Sequence, residues 1–173
     1  GDTDEAIKAF SKAHQLESTD LPTLIGLAGS YFAAKDWNNS AKYYQMLLMH
    51  RDSLDPEQYT DILYRLGVTK REQGEKPKAL NFFDKALAED SHHLPTLEAV
   101  VGLYTEQSNW EQVIHFKKQI LDVKDEIDDR FALYDQIGDL WKEKLKNHPK
   151  AIEAYVEASV IKPENHVVLH KLL

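Results

Sequence analysis

Apolar and small residues recur three and four apart along almost the whole chain, as in Leu24, Leu27, Ala28 and Tyr31, and again in Tyr44, Leu47 and Leu48. That spacing traces one face of a helix, and no sustained alternation of period two interrupts it. The pattern therefore predicts an all-helical protein. Polar clusters rich in Gly, Pro, Asn and Asp break it at Ser18-Thr19-Asp20, Lys35-Asp36, Ser53 to Pro56, Gln73-Gly74-Glu75, Asp90 to His93, Ser108-Asn109, Asp125 to Asp129, Asn147-His148-Pro149 and Pro163-Glu164-Asn165. The breaks predict about ten helices, near 3–16, 20–34, 37–50, 55–73, 76–89, 93–107, 110–124, 127–145, 148–161 and from 164 onward. Connections this short make sequential helices antiparallel. The fourth start is the best marked: Asp55 caps, Pro56 suits the first helical position, and Gln58 stands where a capping box places it.

The chain also echoes itself. Leu-Pro-Thr-Leu occurs at Leu21 to Leu24 and at Leu94 to Leu97, and the stretch from Ala6 (Ala-Ile-Lys-Ala-Phe) returns from Ala151 as Ala-Ile-Glu-Ala-Tyr. The interval between the tetrapeptides is about two repeats of a 34-residue class. A stacked array has no single central core, so a length of 173 residues counts repeats, four to five of them.

In these features the chain resembles the tetratricopeptide repeat family, which implies a right-handed superhelical array of antiparallel helix pairs, helix A and helix B. On that resemblance residues 1–20 are a partial repeat (a helix B), 21–54, 55–93, 94–125 and 126–165 are repeats one to four, and 166–173 begin a further one. The packing positions are Leu24, Leu27, Ala28, Tyr31, Ser40, Tyr44 and Leu47 in the first repeat, and Leu63, Leu66, Gly67, Ala79, Phe83 and Ala86 in the second. The third offers Leu97, Val100, Val101, Tyr104, Val113 and Ile120; the fourth offers Tyr134, Ile137, Gly138, Trp141, Ala151, Tyr155 and Ala158, then Pro163. Gly67 and Gly138 are expected at the closest helix approaches. Lys70 and Lys117 depart from the pattern by standing at apolar positions, and Val101 and Val113 replace small residues, which predicts looser or shifted packing in the third repeat. Extra residues around Asp55 to Tyr59 and Glu126 to Arg130 are expected to lengthen helix A at its N-terminus.

Composition removes several function classes. A formal charge of -8, from 21 Lys plus Arg against 29 Asp plus Glu, disfavours nucleic acid as a partner. The absence of cysteine excludes disulfides, thiolate catalysis and Cys-based zinc sites, and is compatible with cytosol, periplasm or exterior. No apolar run approaches the roughly 20 residues that span a bilayer. Because Gly1 and Leu173 fall within repeats, the chain is expected to be a piece of a longer protein.

The resemblance implies a concave surface lined by helix A, at Ile25, Gly29, Phe32 and Ala33, then Tyr64, Val68, Arg71 and Glu72, then Glu98, Gly102, Thr105 and Glu106, then Asp135, Asp139, Lys142 and Glu143. This groove runs from an apolar floor to carboxylates. Asp135, Asp139 and Glu143 repeat every four residues, where like charges repel, and Lys142 is the nearby relief; a basic ligand would supply the missing charge. The family's Lys and Asn clamp for a C-terminal carboxylate is not reproduced, since its positions hold Ile25, Gly29, Arg65, Pro95 and Ala99, which argues against Hsp70 or Hsp90 tails. His166 and His170 stand four apart without the Glu of the metalloprotease motif or further ligands, so neither a metal nor a cofactor is expected. Trp37, Trp110 and Trp141 are read as packing residues.

No nucleophile with a base, metal centre or phosphate-cradling loop is recognisable, so the expectation is a non-catalytic scaffold that binds a peptide or partner segment. The alternative is a spacer, self-association module or regulatory arm of a larger protein, with Leu169, Leu172 and Leu173 at one end meeting Ile7 and Phe10 at the other.

Overall fold

The structure, a computed structural model, describes residues 2–172. Among these are ten α-helices and no strand: α1 (Asp2–Leu16), α2 (Leu21–Ala33), α3 (Trp37–Leu48), α4 (Pro56–Glu72), α5 (Lys76–Glu89), α6 (Leu94–Glu106), α7 (Trp110–Val123), α8 (Ile127–Asp139), α9 (His148–Ile161) and α10 (His166–Leu172). A 3-10 turn follows α3 at Arg51–Ser53, and α8 runs on into a π-turn at Leu140–Lys144. None of the described helices is long and apolar enough to cross a membrane. Residues through Thr96 form one compact unit and residues from Leu97 another.

Local chemistry sets the helix ends. Asp20, Asp36, Asp55, Asn109 and Asn147 each accept the backbone N–H three residues on, that of Gln58 at 2.7 Å from Asp55. The turns that close the helix pairs share one device. Lys35, Gly74, Ser108 and Lys146 adopt left-handed φ of 58°, 79°, 55° and 54°. The next N–H then folds back on a carbonyl: Asp36 on Tyr31, Glu75 on Lys70 and Asn109 on Tyr104, each at 2.9 Å and five residues back. In the fourth pair Asn147 bonds Trp141 at 2.8 Å, six residues back. One additional residue lies between Trp141 and Lys146, and the π-turn absorbs it while the same closing geometry is kept.

In the first unit Leu24, Leu27, Ala28, Tyr43, Tyr44, Leu47, Ile62 and Leu66 form a buried cluster contributed by α2, α3 and α4. In the second, Ile114, Leu121, Ile137 and Ala154 form one cluster and Ala151, Tyr155, Ala158 and Val168 another. The glycine expectation holds: a Cβ on Gly67 would collide with the Phe83 ring, and one on Gly138 with the Tyr155 ring. Gly26 is a third such site, beneath Phe10, that the sequence reading did not single out. The two lysines at apolar positions find different solutions. Lys70 is 9% exposed and donates to Gln73 Oε1 at 2.9 Å and Glu75 Oε1 at 3.0 Å, pinning the turn after α4. Lys117 donates to Gln136 at 2.6 Å, and burial lowers its pKa. Val113 is fully buried, and Tyr104 stacks on Phe116 at 5.8 Å. Leu173 and Gly1 lie outside the described residues.

Candidate functional site

The expected groove residues fall into two local settings. In the first unit, Ile25 and Gly29 of α2 face Gln58, Asp61, Ile62 and Arg65 of α4 across a cleft of about 230 Å³, with Tyr44 and Leu47 of α3 behind. Leu-Ile-Gly-Leu-Ala at 24–28 and on to Gly29 places buried Leu24, Leu27 and Ala28 on the core side and leaves Ile25, 39% exposed, on the other. A Cβ at Gly29 would meet nothing within 4 Å, so this glycine serves no close packing; it leaves room.

Charge enters the cleft as a pair. Arg65 Nε donates to Asp61 Oδ2 at 2.6 Å, one turn away, and the guanidinium lies 5.3 Å from the centre of the Phe32 ring. Burial is the main influence on Tyr44, raising its pKa to about 12 against the opposing pull of Arg65. Phe32 itself packs edge-on against Trp37 and Tyr44. Asp61 was absent from the sequence expectation, Gln58 and Tyr44 entered it only as a capping and a packing residue, and Arg65 only as a clamp position. Helix A periodicity alone does not show which of two neighbouring faces of α4 opens toward α2. Tyr64 instead leans on Phe83 and meets His93 edge-on at 5.6 Å, and Arg71 pairs with Glu72 at 2.9 Å.

The second setting is the acidic face of α8. The expectation of unmet negative charge there is corrected by the structure. Lys171 of α10 donates to Asp135 Oδ1 at 2.6 Å and to Asp139 Oδ1 and Oδ2 at 2.8 and 2.9 Å, and Tyr155 donates to Asp139 Oδ1 at 2.7 Å. Burial works to lower the Lys171 pKa, but the bonds and charges of the two aspartates outweigh it and leave the ammonium above its ordinary value. Tyr155 is driven well up, first by burial and then by its bond to Asp139. The local relief thus comes from a helix 32 and 36 residues away in sequence, which periodicity on α8 could not reveal. Glu143 lies in the π-turn and adds its charge to those of Asp139 and Asp135 in raising the Tyr155 pKa. Glu98 approaches Lys124 at 3.9 Å, Glu106 is exposed at the end of α6, and Lys142 stands exposed beside His166 and His170. Among the described residues no group of three or more His, Cys, Asp or Glu is arranged to hold a metal.

A family model described as tetratricopeptide repeat matches residues 61–92, most of α4 with all of α5. No curated protein matches the sequence. Among solved structures the chain is similar to MamA, with a TM-score of 0.72 at 19% identity over 95% of this chain and 91% of that one. It is also similar to YrrB, described as a TPR protein with an unusual peptide-binding site, with a TM-score of 0.65 at 16% identity over 98% and 83%. The C-terminal part of a TPR repeat-containing protein from Cytophaga hutchinsonii gives 0.70 at 15% over 96% and 62%. At such identities these likenesses show a shared fold, that of tetratricopeptide repeat structures, and the family model identifies one such repeat within it, at residues 61–92.

Proposed function

We propose that this chain is a non-catalytic interaction scaffold that holds a segment of a partner protein against its A helices, in the α2–α4 cleft above all. The observation that carries the reading is the α2–α4 cleft, whose floor is Ile25 and the bare backbone of Gly29 and whose wall is the Asp61–Arg65 pair. Such a surface takes an apolar side chain while offering the partner backbone a donor and an acceptor. YrrB, similar in fold, is described as having a peptide-binding site, which supports the class of ligand but not its sequence. The basic character expected of the partner rests on Asp135 and Asp139, and a basic segment there would compete with Lys171.

Gly29→Leu tests the groove without harming the core, because the added side chain enters open space. A partner captured with the wild-type chain should be lost or bind at least about tenfold more weakly to this variant, while the melting temperature stays level or rises as a helical glycine is removed. Retained binding by folded Gly29→Leu would rule the cleft out.

A second reading, self-association, is favoured by the exposed stripe Ile152, Val156 and Val160 along α9 and by Leu169, also exposed, on α10. The contact differs from the one expected. Phe10 already covers Gly26, and Leu172 packs against the Ala151–Tyr155–Ala158 cluster, so neither is spare for it. A strictly monomeric mass by light scattering at high concentration would dismiss this reading and leave the first intact.

A further inference from the structure

Comparing the helix pairs position by position exposes a missing ring. Ser40, Ala79, Val113 and Ala151 are the buried small or β-branched residues near the start of α3, α5, α7 and α9. Three residues beyond each stand Tyr43, Phe82, Phe116 and Ala154. The residue that opens the turn from the preceding helix is Tyr31, Lys70, Tyr104 and Trp141 in the same order. Where both positions are aromatic they stack: Tyr31 on Tyr43 at 5.6 Å and 2° between planes, Tyr104 on Phe116 at 5.8 Å and 18°. In the α8–α9 pair the largest of these aromatics, Trp141, meets Ala154, which brings no ring.

The space is left open as a cleft of about 690 Å³ between α7 and α9, floored by Tyr134 and Ile137 of α8 and by Trp141 of the π-turn that continues it. Ala154 is 7% exposed at its base, and Trp141 is half-buried with the ammonium of Lys150 over its ring at 4.3 Å. A cation over an indole face marks that face as reachable from solvent and electron-rich. The lining carries Lys118, Arg130 and Lys150 against Asp122, Glu153 and Glu157, three charges of each sign, so it selects no net charge. Selection falls to the floor, which has the shape of a ring-stacking site with one member absent.

We propose that this cleft is a second binding site, distinct from the α2–α4 groove, that receives a Phe, Tyr or Trp side chain of a partner polypeptide stacked on Trp141. The chain's own Tyr43 and Phe116 show the pose, and the incoming ring displaces the Lys150 ammonium toward the rim. None of the residues lining this cleft belongs to the proposed groove, so the two readings stand or fall separately.

The probe is a capped pentapeptide with one central phenylalanine among alanines, and its leucine counterpart, each followed through the indole N–H resonances of the 15N-labelled protein. The phenylalanine peptide should shift the Trp141 resonance and leave that of Trp37, and it should bind about fivefold or more tightly than the leucine peptide. Ala154→Phe supplies the missing ring internally and should weaken binding at least about tenfold with the helical circular dichroism unchanged. Should that variant not fold, Trp141→Leu, read by calorimetry, replaces it with the same expected loss. No shift at Trp141 at millimolar peptide, equal binding of the two peptides, or undiminished binding to folded Ala154→Phe or Trp141→Leu would each overturn the proposal.

Discussion

Glycine has two opposite uses in this chain, and they separate at single residues. At Gly67 the missing side chain lets the fully buried Phe83 ring lie against the backbone of α4; at Gly29 nothing approaches. Gly67→Leu adds four carbons where the ring already stands, so overpacking should destabilise on the order of 1–3 kcal/mol, more than offsetting the helix-propensity gain of about 1 kcal/mol. The check is a thermal melt beside that of Gly29→Leu: the first should fall and the second should not. An unchanged melt for Gly67→Leu would mean that α4 and α5 separate readily at this point. The sequence reading placed Gly67 and Gly138 correctly because a small residue recurring at one repeat position has a packing cause. It passed over Gly26, which stands two residues before Ala28, the small residue at the equivalent position in its own helix, and is needed by the preceding helix.

At the scale of elements, hydrophobic period and turn chemistry predicted all ten helices with ends near those observed, because capping residues and left-handed turn positions leave local signatures. What they did not show was the π-turn. An insertion of one residue does not alter composition or spoil the apolar pattern enough to be seen; it appears only when the four closing hydrogen bonds are compared and one spans six residues. Its physical consequence is testable. Deleting Glu143, an exposed residue of the π-turn, should convert Leu140–Lys144 to ordinary helix and restore the five-residue closure of the other three pairs. The melting temperature should then hold or rise, since π hydrogen bonding is the rarer and less regular form. A loss beyond about 2 kcal/mol would show that the wider turn is required to seat Trp141 or Leu145, both of which pack against the Ile114–Ile137 cluster.

For the molecule as a whole, family resemblance implied which helices would line a groove but could not reveal which carboxylates were already spoken for. That information lies in contacts between residues far apart in sequence, of which Lys171 with Asp135 and Asp139 is the plainest. With its side chain 22% exposed, the ammonium is neither a free surface charge nor a sealed one, so removing it by Lys171→Met should cost about 1 kcal/mol. The loss should appear as faster hydrogen exchange in α10. The pH sense follows from the raised pKa: the contribution is complete below the ordinary lysine value and fades as pH climbs through the higher folded one. The same variant tests the basic-segment part of the proposed function. If Asp135 and Asp139 accept a partner's lysine, emptying them of Lys171 must strengthen a lysine-bearing peptide, and Asp135→Asn with Asp139→Asn must abolish both that gain and its sensitivity to salt, which screens over about 10 Å at 0.1 M. Faster exchange in α10 with no change in peptide affinity would make the aspartates an internal anchor for α10 and nothing more, and would confine partner binding to the remaining A-helix surface, the α2–α4 cleft above all.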